Sequence, residues 1–319
     1  LLIYVDDIII ATKSKAVCKD IKDKLLTAFD GRDLGPVTSF LGINITRDRG
    51  NRTLSMDQSH YIRELLNTYK MDGCKPKAVP MDPGLRLSVN DGKPLSLSNC
   101  SYGSLIGSIM YLAVSTRPDI AYTVGALARF MSRPTTVSMA AAKALLRYLA
   151  GTSDYRLTFS GSSSINQLAI FTDSDYAACP DTRKSVSGYV ITLNGGAVDW
   201  RSKKQSTVTL STTEAEYVAA AAATREVLWF RQLATALDIT VETYNIYGDN
   251  KSTLQLIKNP ILSFQSKHID ITCHFLRERT ARGEVTFTYM PTDKMLADVF
   301  TKALPKHKHE ECCKGLGVA

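Results

Sequence analysis

The chain has 319 residues, 44% of them hydrophobic, with 39 Lys and Arg against 31 Asp and Glu for a formal charge of +8. That apolar content excludes a disordered chain, and the length points to about two domains at roughly 100 to 200 residues each. No apolar run reaches the roughly 18 to 20 residues of a transmembrane helix and no basic-then-apolar leader opens the sequence, so no membrane partner is expected. Seven Cys stand singly except for Cys312-Cys313, an odd and unevenly spaced set that fits a reduced compartment better than a disulfide framework. Leu1 is not Met, and the apolar run it opens reads as a strand already under way, so a piece of a longer polypeptide is expected. Residues 1–159 carry 21 basic and 14 acidic side chains, and residues 160–319 carry 18 and 17. A cationic first half suits a partner made of phosphates.

In chain order, residues 1–11 are apolar on both sides of Asp6-Asp7, which predicts two buried strands joined by a tight turn carrying the carboxylates. Val17, Ile21, Leu25 and Phe29 then recur every four residues behind Ser14, predicting a helix capped by Ser14 with that stripe packed. Residues 40–56 read as a hairpin turning at Arg49-Gly50-Asn51, with 40–45 as one arm and Gly42 allowing a close backbone approach or a bulge. A helix over 59–70 precedes a Pro- and Gly-rich linker at 74–98. Helices follow over 102–115, 119–131 and 137–150, with Pro118 and Pro134 punctuating their starts, then a strand at 156–160 and a Ser-rich tract from Gly161. The last part reads as strands 168–172, 187–193 and 197–202, helix 212–236, strand 244–247, helices 251–258 and 267–282, strand 284–289 and helix 294–302. Three early strands followed by alternating helices and strands predict an α/β (α+β) unit with a mixed sheet flanked by helices. The expected units are 1–98, 99–164, 165–305 and a tail, 306–319.

Five carboxylates fall near the ends of these elements, and four of them can converge because Glu214 and Glu216 cannot both face one centre. Asp173 ends the first strand of the last part, Glu214 and Glu216 open the long helix, Asp249 ends the fourth strand and Asp298 lies in the last helix. If they converge, they suit phosphodiester hydrolysis with two hard cations roughly 3.5 to 4 Å apart. Each also has an ordinary alternative: Asp249 can cap the helix that follows it, Asp173 can serve a turn, and Asp298 can sit on a surface. Ser211-Thr212-Thr213-Glu214 fits a capping box, which occupies Glu214. Glu214 and Glu216 stand about 200° apart around a helix, so only one can face a given centre, and Glu216 is assigned to it. Arg201, Lys203, Lys204 and Gln205, placed between the third strand and the long helix, can grip a phosphate backbone. His307, His309, Cys312 and Cys313 lack the spacing of a zinc site, and Trp200 and Trp229 are expected in the core.

Tyr4-Val5-Asp6-Asp7 is similar to the YxDD turn of reverse transcriptases. Asp33-Leu34-Gly35 with Phe40-Leu41-Gly42-Ile43, Tyr102-Gly103-Ser104-Leu105-Ile106-Gly107 and Thr116-Arg117-Pro118-Asp119-Ile120-Ala121 resemble the Pol polyprotein of copia-type LTR retrotransposons. So do Ser202-Lys203-Lys204-Gln205, Ser211-Thr212-Thr213-Glu214-Ala215-Glu216-Tyr217, Lys267-His268-Ile269-Asp270-Ile271 and Ala297-Asp298-Val299-Phe300-Thr301-Lys302. The resemblance covers nearly the whole chain. It implies a reverse-transcriptase palm hairpin with thumb and connection segments, followed by a ribonuclease H-like five-stranded mixed sheet. It also implies hydrolysis of the RNA strand of RNA–DNA hybrids by two Mg²⁺ ions, with Mn²⁺ as a substitute and no small-molecule cofactor.

Matched motif to motif, Asp173, Glu216, Asp249 and Asp298 are the implied metal ligands, Asp6 and Asp7 are two of the polymerase ligands, and Asn250 joins the nucleic-acid contacts. The implied partners are the hybrid and the remainder of Pol, in the cytoplasm, in a virus-like particle or in the nucleus. The family's polymerase site needs a further palm Asp and fingers that these residues do not include, so no polymerase activity is expected from this chain alone. The alternative is an inactive retroelement remnant that binds nucleic acid. Two departures stand out: Ser138-Met139 precedes Ala140 where relatives often have His before Trp or Leu, and the loop from Met290 to Lys294 lacks a His.

Overall fold

The computed structural model describes residues 1–96, 101–161, 168–241, 243–258 and 267–319, the side chains of 267–270 excepted. His268 therefore lies outside the described side chains. Strands β1 (Leu2–Tyr4) and β2 (Asp7–Ile9) pair antiparallel across a turn at Val5 and Asp6. The expected burial is not found: Leu1, Leu2, Ile3, Tyr4 and Val5 are all exposed, and the two strands form a sheet of their own. Helix α1 (Lys15–Ala28) begins at Ser14 as expected, with the Val17 amide donating to Ser14 Oγ at 3.5 Å, yet none of its residues is buried. Periodicity shaped the apolar stripe, but no described element covers it.

A second sheet runs β3 (Ser39–Phe40), β4 (Ile43–Asp48), β5 (Thr53–Asp57) and β6 (Leu157–Ser160), antiparallel throughout. The expected single arm over 40–45 is broken, because Leu41 and Gly42, with φ of 51° and 72°, form a two-residue turn between β3 and β4. Positive φ at both positions suits the right-handed twist of the flanking strands, and Gly supplies the second without strain. Helix α2 (Ser59–Thr68) buries Ile62, Leu65 and Leu66. The stretch expected as a linker has little regular structure but is packed. Met81 is buried, the Lys77 amide donates to the Arg147 carbonyl at 3.2 Å, and Pro94 bridges to Thr135.

Helices α3 (Tyr102–Ser115), α4 (Ala121–Ala128) and α5 (Thr136–Gly151) share one core with α2. Pro118 opens a 3₁₀ turn (Pro118–Ile120) before α4, which shortens the helix expected over 119–131. The third sheet contains β7 (Leu168–Asp175), β8 (Val186–Leu193), β9 (Gly196–Lys204), β10 (Asn245–Gly248) and β11 (Thr286–Tyr289) in the order β11-β10-β7-β8-β9. The first three form an antiparallel meander, while β10 runs parallel to both β7 and β11. This is the expected mixed α/β sheet of ribonuclease H-like architecture.

Alternation along the strands gives the sheet two apolar faces. Ile170, Ile191 and Ile246 pack toward α6 (Thr212–Ala236), α7 (Lys251–Lys258) and α8 (Lys267–Ala281). Phe171 and Val190 pack toward Met295, Val299 and Phe300 and toward α9 (Lys306–Gly315). The helix expected over 294–302 is instead two 3₁₀ turns, Thr292–Lys294 and Leu296–Phe300, separated by Met295 with a ψ of 108° that no helix allows. Trp229, expected in the core, is exposed on α6, whereas Trp200 donates its indole N–H to the Ala113 carbonyl at 2.8 Å and ties β9 to α3.

Candidate functional site

The parallel pairing of β7 and β10 builds the centre. Ile246 lies beside Ile170 and Tyr247 beside Phe171, so two residues further along, Asp249 leaves the end of β10 next to Asp173 on β7. Helix α6 crosses that edge and directs Glu216 at it. Ligand oxygens of Asp173, Glu216 and Asp249 all lie within 4.8 Å of one another. Asp173 and Glu216 are buried and Asp249 is half-buried.

Asp298 reaches the same edge from the other face. It is carried by the 3₁₀ turn Leu296–Phe300, is 3% exposed, and lies close enough to Asp173 to interact with its carboxyl. The fold brings all four sequence-predicted carboxylates to one sheet edge. They form two subsets that share Asp173: three mutually close oxygens on one side and Asp298 on the other.

Each carboxylate is held by a neighbour. The Ser174 amide donates to Glu216 Oε1 at 3.2 Å, the Thr292 hydroxyl to Asp249 Oδ2 at 2.7 Å, and the Thr301 hydroxyl to Asp173 Oδ2. Lys302 Nζ stands 2.8 Å from Asp298 Oδ1 and 3.9 Å from Asp173 Oδ2, and Lys308 Nζ is 3.9 Å from Asp298 Oδ2. Burial, reinforced by the charges of Asp173 and Asp249, pushes the Glu216 carboxyl well above the usual range. Burial likewise raises Asp173, with Asp298 adding to the effect and Lys302 opposing it. Burial works against the Lys302 ammonium, but Asp173 and Asp298 outweigh it and hold its pKa above the usual lysine value.

The helix-start alternatives resolve in favour of this centre. The Glu214 amide donates to Ser211 Oγ at 3.1 Å, and Glu214 Oε2 accepts from the Leu210 amide at 2.6 Å, so Glu214 is used in capping. Asn250, not Asp249, caps α7, with the Thr253 amide donating to its Oδ1 at 3.0 Å. That bond leaves the Asn250 amide group for a ligand while its oxygen is engaged.

The basic segment differs from expectation. Lys203 and Lys204 join Arg201 in β9 itself, because the strand runs two residues further at its end than expected, and Arg201 pairs with Glu226 on α6 at 3.6 Å. Gln205 is buried and donates to Ser187 Oγ at 2.8 Å and to the Ala215 carbonyl at 2.9 Å. It fastens the start of α6 to β8 and faces no solvent, which corrects its assignment as a nucleic-acid contact. Asp6 and Asp7 are exposed on the first hairpin, with Asp7 inside β2 rather than at the turn tip, and no third metal-type ligand joins them among the described residues.

The sequence reading missed Thr292, Thr301 and Lys302 as parts of the centre. It also missed a second buried group, Asp119, His309 and Cys313, whose ligand atoms lie within 4.8 Å of one another. There Arg117 holds Asp119 through two hydrogen bonds of 2.9 and 2.7 Å, and the Tyr148 hydroxyl donates to Asp119 at 2.7 Å. With Asp119 already committed to an internal cation, this group is a polar core and not a metal centre.

Residues 1–83 match the family described as reverse transcriptase (RNA-dependent DNA polymerase). The Pol polyprotein of transposon TNT 1-94 from Nicotiana tabacum is 38% identical across 100% of this chain and 24% of its own length. A putative transposon Ty5-1 protein of Saccharomyces cerevisiae is 32% identical across 70% of this chain and 72% of its own. The chain belongs to the Pol polyprotein family of copia-type retrotransposons. It spans about a quarter of the length of the tobacco Pol polyprotein. Among solved structures, LC11-RNase H1 in complex with an RNA/DNA hybrid aligns with 42% of this Pol chain and 94% of its own at 16% identity and a TM-score of 0.33. The ribonuclease H-like fold of this Pol segment rests on the strand order given above.

Proposed function

We propose that this Pol segment hydrolyses the RNA strand of RNA–DNA hybrids at the edge formed by Asp173, Glu216, Asp249 and Asp298. The observation that carries the reading is an all-oxygen, all-acid cluster of Asp173, Glu216 and Asp249 within 4.8 Å, set where β10 ends beside its parallel neighbour β7 and α6 crosses them. Such a donor set fits a hard divalent cation, and Glu216, surrounded by like charge, has the electrostatic environment a cation relieves. Asp173, Glu216 and Asp249 would hold one Mg²⁺, and Asp173 with Asp298 a second, Mn²⁺ serving in their place. Bound there, such ions activate water and neutralise charge at a scissile phosphate.

The chain's own residues orient and exclude. Thr301 fixes the Asp173 carboxylate, Thr292 fixes Asp249, and the Ser174 amide fixes Glu216, so the acids are aligned before substrate arrives. Arg201 and Lys203 on β9 are exposed and suit phosphate contacts that position a duplex without reading its sequence. The hybrid is distinguished by its shape and by the 2′-OH of its RNA strand. With Asp6 and Asp7 on an isolated hairpin, these 319 residues carry no polymerase activity by themselves.

The test is cleavage of a labelled RNA–DNA hybrid in Mg²⁺ by the chain and by Asp249→Asn. Loss of a residue that merely orients a metal ligand costs 10- to 100-fold, so loss of a ligand itself is expected to cost at least about 100-fold. Equal cleavage by parent and variant would refute the assignment of Asp249.

A further inference from the structure

The carboxylates around Asp173 are unevenly neutralised. On one side, Asp173, Glu216 and Asp249 lie within 4.8 Å of one another, and no ion pair to Glu216 or Asp249 is formed among the described residues. On the other side, Lys302 Nζ stands 2.8 Å from Asp298 and 3.9 Å from Asp173. The local backbone sets this position: the Lys302 amide donates to the Asp298 carbonyl at 3.2 Å, so the lysine follows Asp298 by one turn and its side chain lies over that carboxylate. The Lys302 side chain is 38% exposed while both carboxylates are 4% exposed, so the ammonium enters from the solvent edge and can leave the same way. Lys308 differs, being fastened to the carbonyls of Thr292 and Asp293.

We propose that Lys302 is an internal counter-cation that fills the Asp173–Asp298 position in the metal-free chain, so that two divalent cations bind unequally. The proposal rests on reading this edge as a metal centre. The first cation binds Asp173, Glu216 and Asp249, where among the described residues Glu216 and Asp249 have no ion-pair partner and only Asp173 is shared with Lys302. The second shares Asp173 and Asp298 with a fixed positive charge and binds only as that ammonium swings out on its flexible four-carbon stem. Lys302 is thus a positioning residue that orders metal loading and keeps Asp173 and Asp298 together before loading begins.

The experiment is a Mn²⁺ titration of the full chain, with free Mn²⁺ read by electron paramagnetic resonance and thermal unfolding followed in EDTA. The parent chain should bind one Mn²⁺ and a second at least about tenfold more weakly, because an adjacent unit charge in a partly screened site acts on that scale. Lys302→Met and Lys302→Gln remove the charge and should tighten the second site by about tenfold while lowering the melting temperature in EDTA. Lys302→Arg keeps the charge and should stay within about twofold of the parent. Either charge-removing variant suffices, provided circular dichroism shows it folded. A folded variant that leaves the second constant unchanged or weaker, with the first site still filled, overturns the role of Lys302 alone. A parent chain and variants that bind no Mn²⁺ overturn the metal-centre reading itself.

Discussion

Glu216 sits among like charges with one backbone amide as its donor, an arrangement that costs the metal-free fold stability. Glu216→Gln keeps the shape and removes one of three neighbouring negative charges. In EDTA this variant should melt about 1–2 °C higher than the parent, the shift that about 1 kcal/mol gives in a chain of this size. It should gain less from added Mg²⁺ than the parent does, and should not cleave a hybrid. Thermal scans with and without Mg²⁺ read both effects, and a lower melting temperature in EDTA would mean that Glu216 acts as a structural acceptor. At this scale the sequence was informative where helix geometry constrained it. The roughly 200° between Glu214 and Glu216 separated capping from the centre, and the structure places each accordingly. Asp249 stayed open as either the cap of α7 or a member of the centre, and Asn250 was not weighed as the cap although two polar residues at a helix start fit the role equally well. Thr292 and Thr301 left no trace in the pattern. Their partners lie 43 and 128 residues away in sequence, and a hydroxyl that supports a distant carboxylate has no periodic signature.

Among elements, β8 decides whether Asp298 can reach Asp173. Gly188 pairs directly with Asp173, and a Cβ there would lie 2.7 Å from Phe300 Cβ, 2.8 Å from Thr301 Cγ2 and 3.2 Å from the Ala297 carbonyl. The 3₁₀ turn that carries Asp298 rests on that gap. Gly188→Ala should therefore cost about 1–3 kcal/mol in urea unfolding and lower hybrid cleavage more than the stability loss explains. Unchanged cleavage in a destabilised variant would separate the turn's position from catalysis. Helices α6 and α7 match their expected bounds because caps and apolar spacing mark them plainly. The segment over 294–302 was misread as a helix because Leu296, Val299 and Phe300 suit helical and 3₁₀ spacing alike, and Met295 breaks the run by backbone angle alone. Helix α9 was not anticipated, since its charged sequence buries only His309, Cys312 and Cys313. The β3–β4 turn was missed because Leu41 is a residue that rarely takes positive φ.

At the scale of the whole molecule, sequence patterning showed a mixed sheet but not the order of its strands, because parallel pairing of β7 with β10 is a long-range choice that alternation does not encode. The uncovered hairpin and α1 mark the opposite limit, where local patterning was read correctly and burial was not. A buried polar group joins the apolar contacts of Ala121 and Ala303 in fastening the helical segment to the C-terminal end. His309 on α9 meets the Asp119 carbonyl at 3.3 Å and packs edge-on against Tyr148 on α5, facing the charges of Arg117, Asp119 and Glu310. Burial holds the His309 imidazole below its ordinary pKa of 6.5, so it is neutral in the fold. As pH falls below that value the unfolded chain takes up the proton first, and this contribution to stability declines until the lower folded pKa is reached. Urea unfolding at pH 7 and pH 5 should show a loss on acidification that His309→Phe reduces, and an unchanged slope would contradict a neutral buried imidazole. The central claim, that the four-carboxylate edge is a hybrid nuclease, is tested most directly by incubating the chain with a labelled RNA–DNA hybrid in Mg²⁺, beside an RNA–RNA duplex and beside Asp173→Asn. The account predicts cutting of the RNA strand in the hybrid alone, lost in Asp173→Asn. A folded, Mg²⁺-binding chain that leaves the hybrid intact would contradict it.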